Sequence, residues 1–524
     1  MAQAEKLTIS SEAFQQAMAN RDEYRGTVLA CRYAVPPELA GSDSSTQLMN
    51  VIESAVAQVV LRHPLLHVGI KRADTKLPVW VRLDSIDLGP LIEWKFPDAS
   101  ADMASLVYEI TDAELNSGYK NIESQPGWKL VILHKPASEF LDVVFNFNHV
   151  TTDGIGARVF HEDLLECLNN YGTEGEGMAK PHISDHILQL PEPSVEFPPP
   201  VEKLCKMQVD ISFIIKLLWA EKRPAMFCNN DTQANWAPVR GPPYNTRFRS
   251  FRIEPGSLAA LLVLCRKHNT TITGLLHSLT LVSLASQITT APGFQSGSPL
   301  DLRRFLPTDR PKHPELQSQP PERTICNYVS MADHEFPVGL IAELRSKLLP
   351  TGASDADAEA DAKDEGLLPA GIKDLVWSIA AKVRADLREK LALGTRNDML
   401  GVAKFIKDWH AHLKEVAQKP RQQSWHVSTL GIIEGTPKKP EAEAGETPDK
   451  TGSSGGGGGW SIRDAEFIIS AEVPTAPIMI TPVTARDGPL SVSCSWQDNV
   501  VDASVAEKLV VDLEKWLNQL ATSS

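Results

Sequence analysis

From Phe140 to Asn169 the sequence allows few local structures. Leu141, Val143, Phe145 and Phe147 recur at every second position, which predicts a strand over Phe140–Asn148 with one face on a core. Asn148-His149-Val150-Thr151-Thr152-Asp153-Gly154 follows, and a helical pattern then runs from about Ile155 to Asn169. His149 continues the buried face of the strand at the point where the chain turns. An imidazole so placed is rigidly held and still able to look into a cleft. There it can take a proton from an alcohol or amine, the task of a general base in acyl transfer. Asp153 need not face His149: the loop between them leaves room for the carboxylate to turn away, pair with an arginine and fix the turn. The H-x-x-x-D-G spacing alone also fits a histidine merely hydrogen-bonded at a strand end, so the rest of the chain has to decide.

The chain has 524 residues, 42% hydrophobic and 23% charged, which supports two or three domains and excludes coiled-coil, collagen-like or wholly disordered architectures. A net charge of −14 discourages non-specific attraction to nucleic acid or anionic lipid, and no nucleic-acid partner is expected. The seven cysteines are scattered without a C-x-x-C pair, poor material for a disulfide framework or zinc site. His63 and His67 suit packing, and His410 and His412, two apart on a helix, diverge in direction, so no metal is expected. Met1–Ser11 lacks a basic region followed by an apolar stretch, and no run of about 18 apolar residues occurs. The expectation is a cytoplasmic monomer without a transmembrane segment.

Strand and helix patterns mix in both halves, which predicts an α/β (mixed α+β) chain of two layered domains. The first domain spans 1–190 and carries the H-x-x-x-D-G segment. A proline-dense crossover, 191–240, follows, with Leu190–Pro200 too rich in proline for helix or central strand. Within it Ile211–Ala220 forms a short helix with an apolar face and a basic end at Lys222 and Arg223. A weak peripheral membrane contact is one use for it; packing over the domain joint is the use the overall acidity favours. The second domain, 241–524, is interrupted at 351–366 and 436–459 by insertions that cannot bury enough apolar surface to order themselves. Much of the negative charge sits in the first insertion, with six acids against one base. The glycine run Gly455–Gly459 lacks the lysine and hydroxyl residue of a phosphate-binding loop.

Four segments, in order, resemble the CoA-dependent acyltransferase superfamily of chloramphenicol acetyltransferase, plant BAHD acyltransferases and peptide-synthetase condensation domains. They are Leu61-Arg62-His63-Pro64-Leu65-Leu66, the His149–Gly154 motif, Asp301-Leu302-Arg303-Arg304 with Cys326-Asn327-Tyr328-Val329-Ser330, and Val427-Ser428-Thr429-Leu430-Gly431. Within the superfamily the chain looks most like fungal alcohol acetyltransferases, including trichothecene O-acetyltransferases of secondary metabolism. The plant D-F-G-W-G motif is absent, Asn148 replaces the first histidine of H-H-x-x-x-D-G, and Thr429 replaces the asparagine of S-N-L-G.

The resemblance implies two chloramphenicol-acetyltransferase-like subdomains, with mixed sheets and flanking helices, enclosing a central channel. His149 would meet acyl-CoA from one mouth and an alcohol from the other, deprotonate the hydroxyl and protonate the departing thiolate, with no acyl-enzyme. Asp153 and Gly154 would be structural, with Arg303 the partner of Asp153 and Arg304 the alternative. Ser428 is a candidate oxyanion donor, with a hydroxyl satisfied by the strand backbone as the plainer alternative, and Asn327 a candidate channel residue. Acetyl-CoA would be a co-substrate, with no bound cofactor. Two other readings stay open at this point: a condensation-like or N-acylating catalyst using an amine or a carrier-protein thioester, and a non-catalytic binding member.

Overall fold

The computed structural model describes residues 4–6, 11–172, 181–191, 197–222, 231–243, 245–308, 320–348, 367–435 and 459–522. Both insertions, apart from Gly459, lie outside the described residues. Two mixed sheets carry the architecture. The strands are β1 (Thr27–Ala34), β2 (Ile92–Lys95), β3 (Trp128–His134), β4 (Phe140–Phe147), β5 (Thr246–Ile253), β6 (Phe294–Asp301), β7 (Val329–Phe336), β8 (Trp425–Val427), β9 (Gly431–Ile433), β10 (Ser461–Ile469), β11 (Ile478–Ala485) and β12 (Leu490–Gln497). The first sheet has the order β10-β1-β4-β3-β2, antiparallel except where β3 meets β2. The second has the order β5-β12-β11-β8-β6-β7, with β9 also on β11. In it β8 runs parallel to both β11 and β6.

The first sheet draws a strand from the second half of the chain. β10 pairs with β1 from Ser461↔Ala34 to Ile469↔Thr27, so the two halves share a sheet across the 191–240 crossover. Helices cover the layers: α1 (Ser11–Asn20), α2 (Ser45–Arg62), α3 (Met103–Ser117), α4 (Gly154–Asn169), α5 (Ile211–Lys222), α6 (Pro255–Lys267), α7 (Ile272–Gln287), α8 (Val338–Leu348), α9 (Lys373–Leu393), α10 (Met399–Ala403), α11 (Trp409–Val416) and α12 (Ala503–Thr522). The alternation read along Phe140–Asn148 sets Phe145 against Phe160 of α4, with rings stacked 4.0 Å apart. Tyr33 on β1 also hydrogen-bonds His161 Nδ1 of α4 at 2.8 Å. Burying one such phenylalanine contributes about 1.5–3 kcal/mol, so α4 is firmly seated on the sheet. α7, apolar on nearly every face, is correspondingly buried along most of its length under the second sheet.

Three features differ from the sequence pattern. The helical pattern over Asp398–Ala417 predicts one helix, but Asp398 caps α10 by accepting from Leu400 N, and Asp408 caps a second helix, α11, by accepting from Ala411 N. Two aspartate caps ten residues apart start two helices, and the chain between them unwinds. The strand Phe294–Asp301 was not foreseen, because Gly297 and Pro299 are poor strand residues. Finally, α5 does not bury its apolar side over a joint: Ile211, Ile215, Leu218 and Trp219 are each more than half exposed. No described helix is long and apolar enough to cross a membrane.

Candidate active site

β4 ends at Phe147, and Asn148 makes the turn that presents His149. The Asn148 side chain accepts from Val150 N at 3.0 Å, and its carbonyl accepts from Thr151 N and from the Thr151 hydroxyl. An asparagine is well suited to hold a turn through its own side chain, which gives Asn148 a local purpose where the family pattern has histidine. His149 is half-buried, with the Tyr24 ring edge-on at 6.0 Å. The Asn327 amide donates to the His149 carbonyl at 2.6 Å and lies 3.2 Å from Nδ1. Among the described residues Nε2 makes no hydrogen bond and is left to the cavity side.

Asp153 faces away from His149. It caps α4 by accepting from Gly156 N at 2.8 Å and accepts from Tyr328 N at 3.0 Å. Arg303 donates to both carboxylate oxygens, Nη1 to Oδ2 at 2.7 Å and Nη2 to Oδ1 at 3.0 Å. Both side chains are almost wholly buried, at 4% and 1% exposed. The rest of the guanidinium donates to Asp301 Oδ1 and to the carbonyls of Thr324 and Cys326. Burial opposes the charge on Arg303, yet the Asp153 carboxylate outweighs it and holds the guanidinium pKa well above its ordinary value. Arg304, the alternative partner, is exposed and lines a separate cleft with Arg158.

His149, Gly154, Asn327 and Ser428 line one cavity of about 320 Å³. A broader depression of about 880 Å³ lies elsewhere, bordered by charges of both signs such as Lys71, Arg72, Asp74 and Glu123, and contains none of the motif residues. The cavity beside His149 is walled by both sheets, through Phe467 and Ile469 of β10, Met331 of β7 and Met479 of β11. α1, α10 and α11 close it with Phe14, Leu400 and Trp409, the Phe14 and Trp409 rings packing edge to face at 5.3 Å. Ser428 sits just beyond β8, its N–H bonded to Ile480 O at 2.8 Å, while its hydroxyl has no hydrogen-bond partner among the described residues. Gly431 follows with φ +82°, a backbone region that favours glycine and accounts for the last residue of V-S-T-L-G.

The sequence thus brings its six singled-out residues into two connected groups: four at the cavity wall, and the Asp153–Arg303 pair behind it. It missed Glu472 and His426 and weighed His412 only as a metal ligand, yet all three also line the cavity. His426 is buried and its Nε2 donates to the Gln423 amide oxygen at 2.5 Å; burial, aided by Arg421, pushes its pKa down to about 3. Glu472 follows β10 in an irregular stretch where no periodicity marks it. His63 and His67 are packed as expected, His63 against Asp163 at 2.7 Å. Among the described residues no group of three or more metal-ligating side chains assembles.

Two mixed sheets, the first completed by a strand from the second half of the chain, wall one histidine-lined cavity and form a condensation-domain-like fold. A trichothecene 15-O-acetyltransferase, TRI3 of Fusarium sporotrichioides, superposes with a TM-score of 0.67 over 99% of this chain and 95% of that one, at 14% identity. The first condensation domain of the CDA synthetase superposes with a TM-score of 0.57 over 98% and 96%, at 12% identity. Residues 92–314 match the alcohol acetyltransferase family. A probable alcohol acetyltransferase of Fusarium pseudograminearum, FCK4, is 26% identical over 480 residues, 89% of this chain and 85% of that protein. Another from Aspergillus fumigatus, crmB, is 21% identical over 88% and 89%. The chain is similar to alcohol acetyltransferases over most of its length and is an acyltransferase.

Proposed function

We propose that this enzyme transfers an acetyl group from acetyl-CoA to the hydroxyl of an apolar small molecule, with His149 as general base. The observation that carries the proposal is the cavity itself. His149 presents a free ring nitrogen to a largely apolar space, and the adjacent carboxylate, Asp153, is fully engaged by Arg303 and cannot relay protons. His149 Nε2 takes the proton from the acceptor hydroxyl as its oxygen attacks the thioester carbonyl. The tetrahedral oxyanion needs a donor, and the unengaged Ser428 hydroxyl on the same wall supplies one. Collapse breaks the carbon–sulfur bond, His149 returns its proton to the thiolate, and the products are the ester and free CoA. Both substrates occupy the site together, so no acyl-enzyme forms. Phe14, Met331, Trp409 and Met479 favour an acceptor that is mostly hydrocarbon.

Release of free CoA from acetyl-CoA, with a panel of hydroxylated terpenoids and fatty alcohols as acceptors, tests this directly. His149→Ala should lower turnover by about 10²–10⁴-fold while far-ultraviolet circular dichroism is unchanged. Full activity in that variant would end the proposal.

A further inference from the structure

We propose that Glu472 is a positioning residue for His149: its carboxylate faces the imidazole across the cavity and stabilises the imidazolium that forms as the acceptor hydroxyl is deprotonated. This rests on the reading of His149 as general base.

The exchanged strand β10 ends at Ile469, and the chain runs on through Ala471 into the cavity wall, where Glu472 and Thr475 join His149. The Thr475 hydroxyl donates to Glu472 Oε2 at 2.5 Å and fixes the carboxylate, leaving Oε1 without a hydrogen-bond partner among the described residues. Burial raises the Glu472 pKa; the Thr475 hydrogen bond and the positive charge of a protonated His149 work against that rise, so the two groups sense each other. The neighbouring groups offer no substitute. Asp153 is consumed by Arg303. Tyr24, whose ring flanks His149, directs its hydroxyl to Thr27, and Glu23 binds Arg21. His426 stays neutral, its pKa pushed down to about 3 by burial. His412, on α11, carries at most a positive charge and so offers no anion. Glu472 is thus the carboxylate of this cavity that can answer a charge on His149. In an apolar cavity an anion across from a developing cation acts with little screening, so small changes in its placement are felt in rate.

The test is the pH profile of kcat/KM for Glu472→Gln beside wild type, with Glu472→Asp, Thr475→Val and His149→Ala as companions. In Glu472→Gln the maximal kcat should fall at least tenfold, the acceptor KM should stay within about twofold, and the acid limb should move to lower pH, because an imidazole without its anion is harder to protonate. Glu472→Asp keeps the charge and should keep the limb near its wild-type position. Thr475→Val, which frees the carboxylate while leaving it in place, should give an intermediate shift and reports on the proposal if Glu472→Gln fails to fold. An unmoved acid limb with His149→Ala inactive would overturn this role for Glu472 alone. A raised acceptor KM with unchanged kcat would make Glu472 an acceptor-binding group and overturn it equally. Wild-type turnover in His149→Ala would remove both this inference and the general-base reading.

Discussion

Asp153→Asn separates a structural carboxylate from a chemical one. The wild-type carboxylate accepts four hydrogen bonds: Oδ1 from Arg303 Nη2 and Gly156 N, Oδ2 from Arg303 Nη1 and Tyr328 N. Asparagine keeps the shape but replaces one oxygen by an N–H donor. Either amide orientation turns that donor toward two other donors, so one Arg303 bond and one backbone bond are lost together. The guanidinium, 4% exposed, keeps Asp301 and two carbonyls but loses its buried counter-charge. Breaking a buried pair from one side costs about 3–5 kcal/mol. With roughly 2–4 °C per kcal/mol for a unit of this size, the melting midpoint should fall by about 6–20 °C. Tryptophan fluorescence and far-ultraviolet dichroism during heating measure this, and CoA release at a temperature where the variant is still folded measures the chemistry. Per folded molecule the variant should keep turnover within about tenfold of wild type. Replacing both partners, Asp153→Leu with Arg303→Met, should regain part of the lost midpoint, since neither charge is then left buried alone. A variant with an unshifted midpoint and turnover lowered more than about 100-fold would refute the reasoning, because the carboxylate would then be acting in the reaction.

Acid should weaken the fold through buried neutral histidines. Burial, with nearby arginines for His63, pushes His63 to about 3 and His161 to about 4, and burial likewise pushes His67 to about 4 and His426 to about 3. Their contribution is whole above the unfolded value of about 6.5 and is lost as pH falls from there toward the folded values, at up to about 1.4 kcal/mol per pH unit for each. Burial raises Asp142, Asp333 and Glu466, which act in the opposite sense. The measurable quantity is therefore a change of slope: His161→Phe should flatten the decline in stability between pH 6.5 and 4.5 by about one proton, and an unchanged slope would contradict burial of a neutral imidazole there. Gly154→Ala places a Cβ 3.2 Å from the tips of Leu430 and Phe467 at the cavity wall. Those side chains can give a little, so stability should change by less than about 1.5 kcal/mol while the acceptor KM rises; an unchanged KM would show that the acceptor does not reach this wall.

Elements built from a strong period were legible in the sequence. The alternation of Leu141, Val143, Phe145 and Phe147 marks β4, and the apolar run behind Thr271 marks α7, because in both the burial pattern is also the sequence pattern. The motif order singled out His149, Asp153, Arg303, Asn327 and Ser428, each of which stands beside the end of a strand or helix. The cavity that joins them was not legible, because its walls come from the places where local rules are broken. β6 lacks strand residues at Gly297 and Pro299. Yet a Cβ at Gly297 would lie 2.9 Å from Gln423, His426 and Met331, so the strand that propensity rejects is the one tertiary packing requires.

The same logic explains Glu472. A charged residue after a strand and before a proline has no periodicity to announce it, and its neighbourhood depends on a pairing made across most of the chain. Once β10 leaves its own half to pair with β1, the residues behind it must cross from the first sheet toward β11 of the second, and that path runs along the wall of the cavity. The exchange does two jobs with one segment. It ties the halves together through eight paired positions, and it brings Phe467, Ile469 and Glu472 to the histidine that the first half provides. A site divided in this way cannot survive separation of the halves, since neither holds both His149 and Glu472. The joint and the cavity wall are consequently linked, and on the proposed reading a substitution that loosens β10 from β1 should lower both the melting midpoint and turnover.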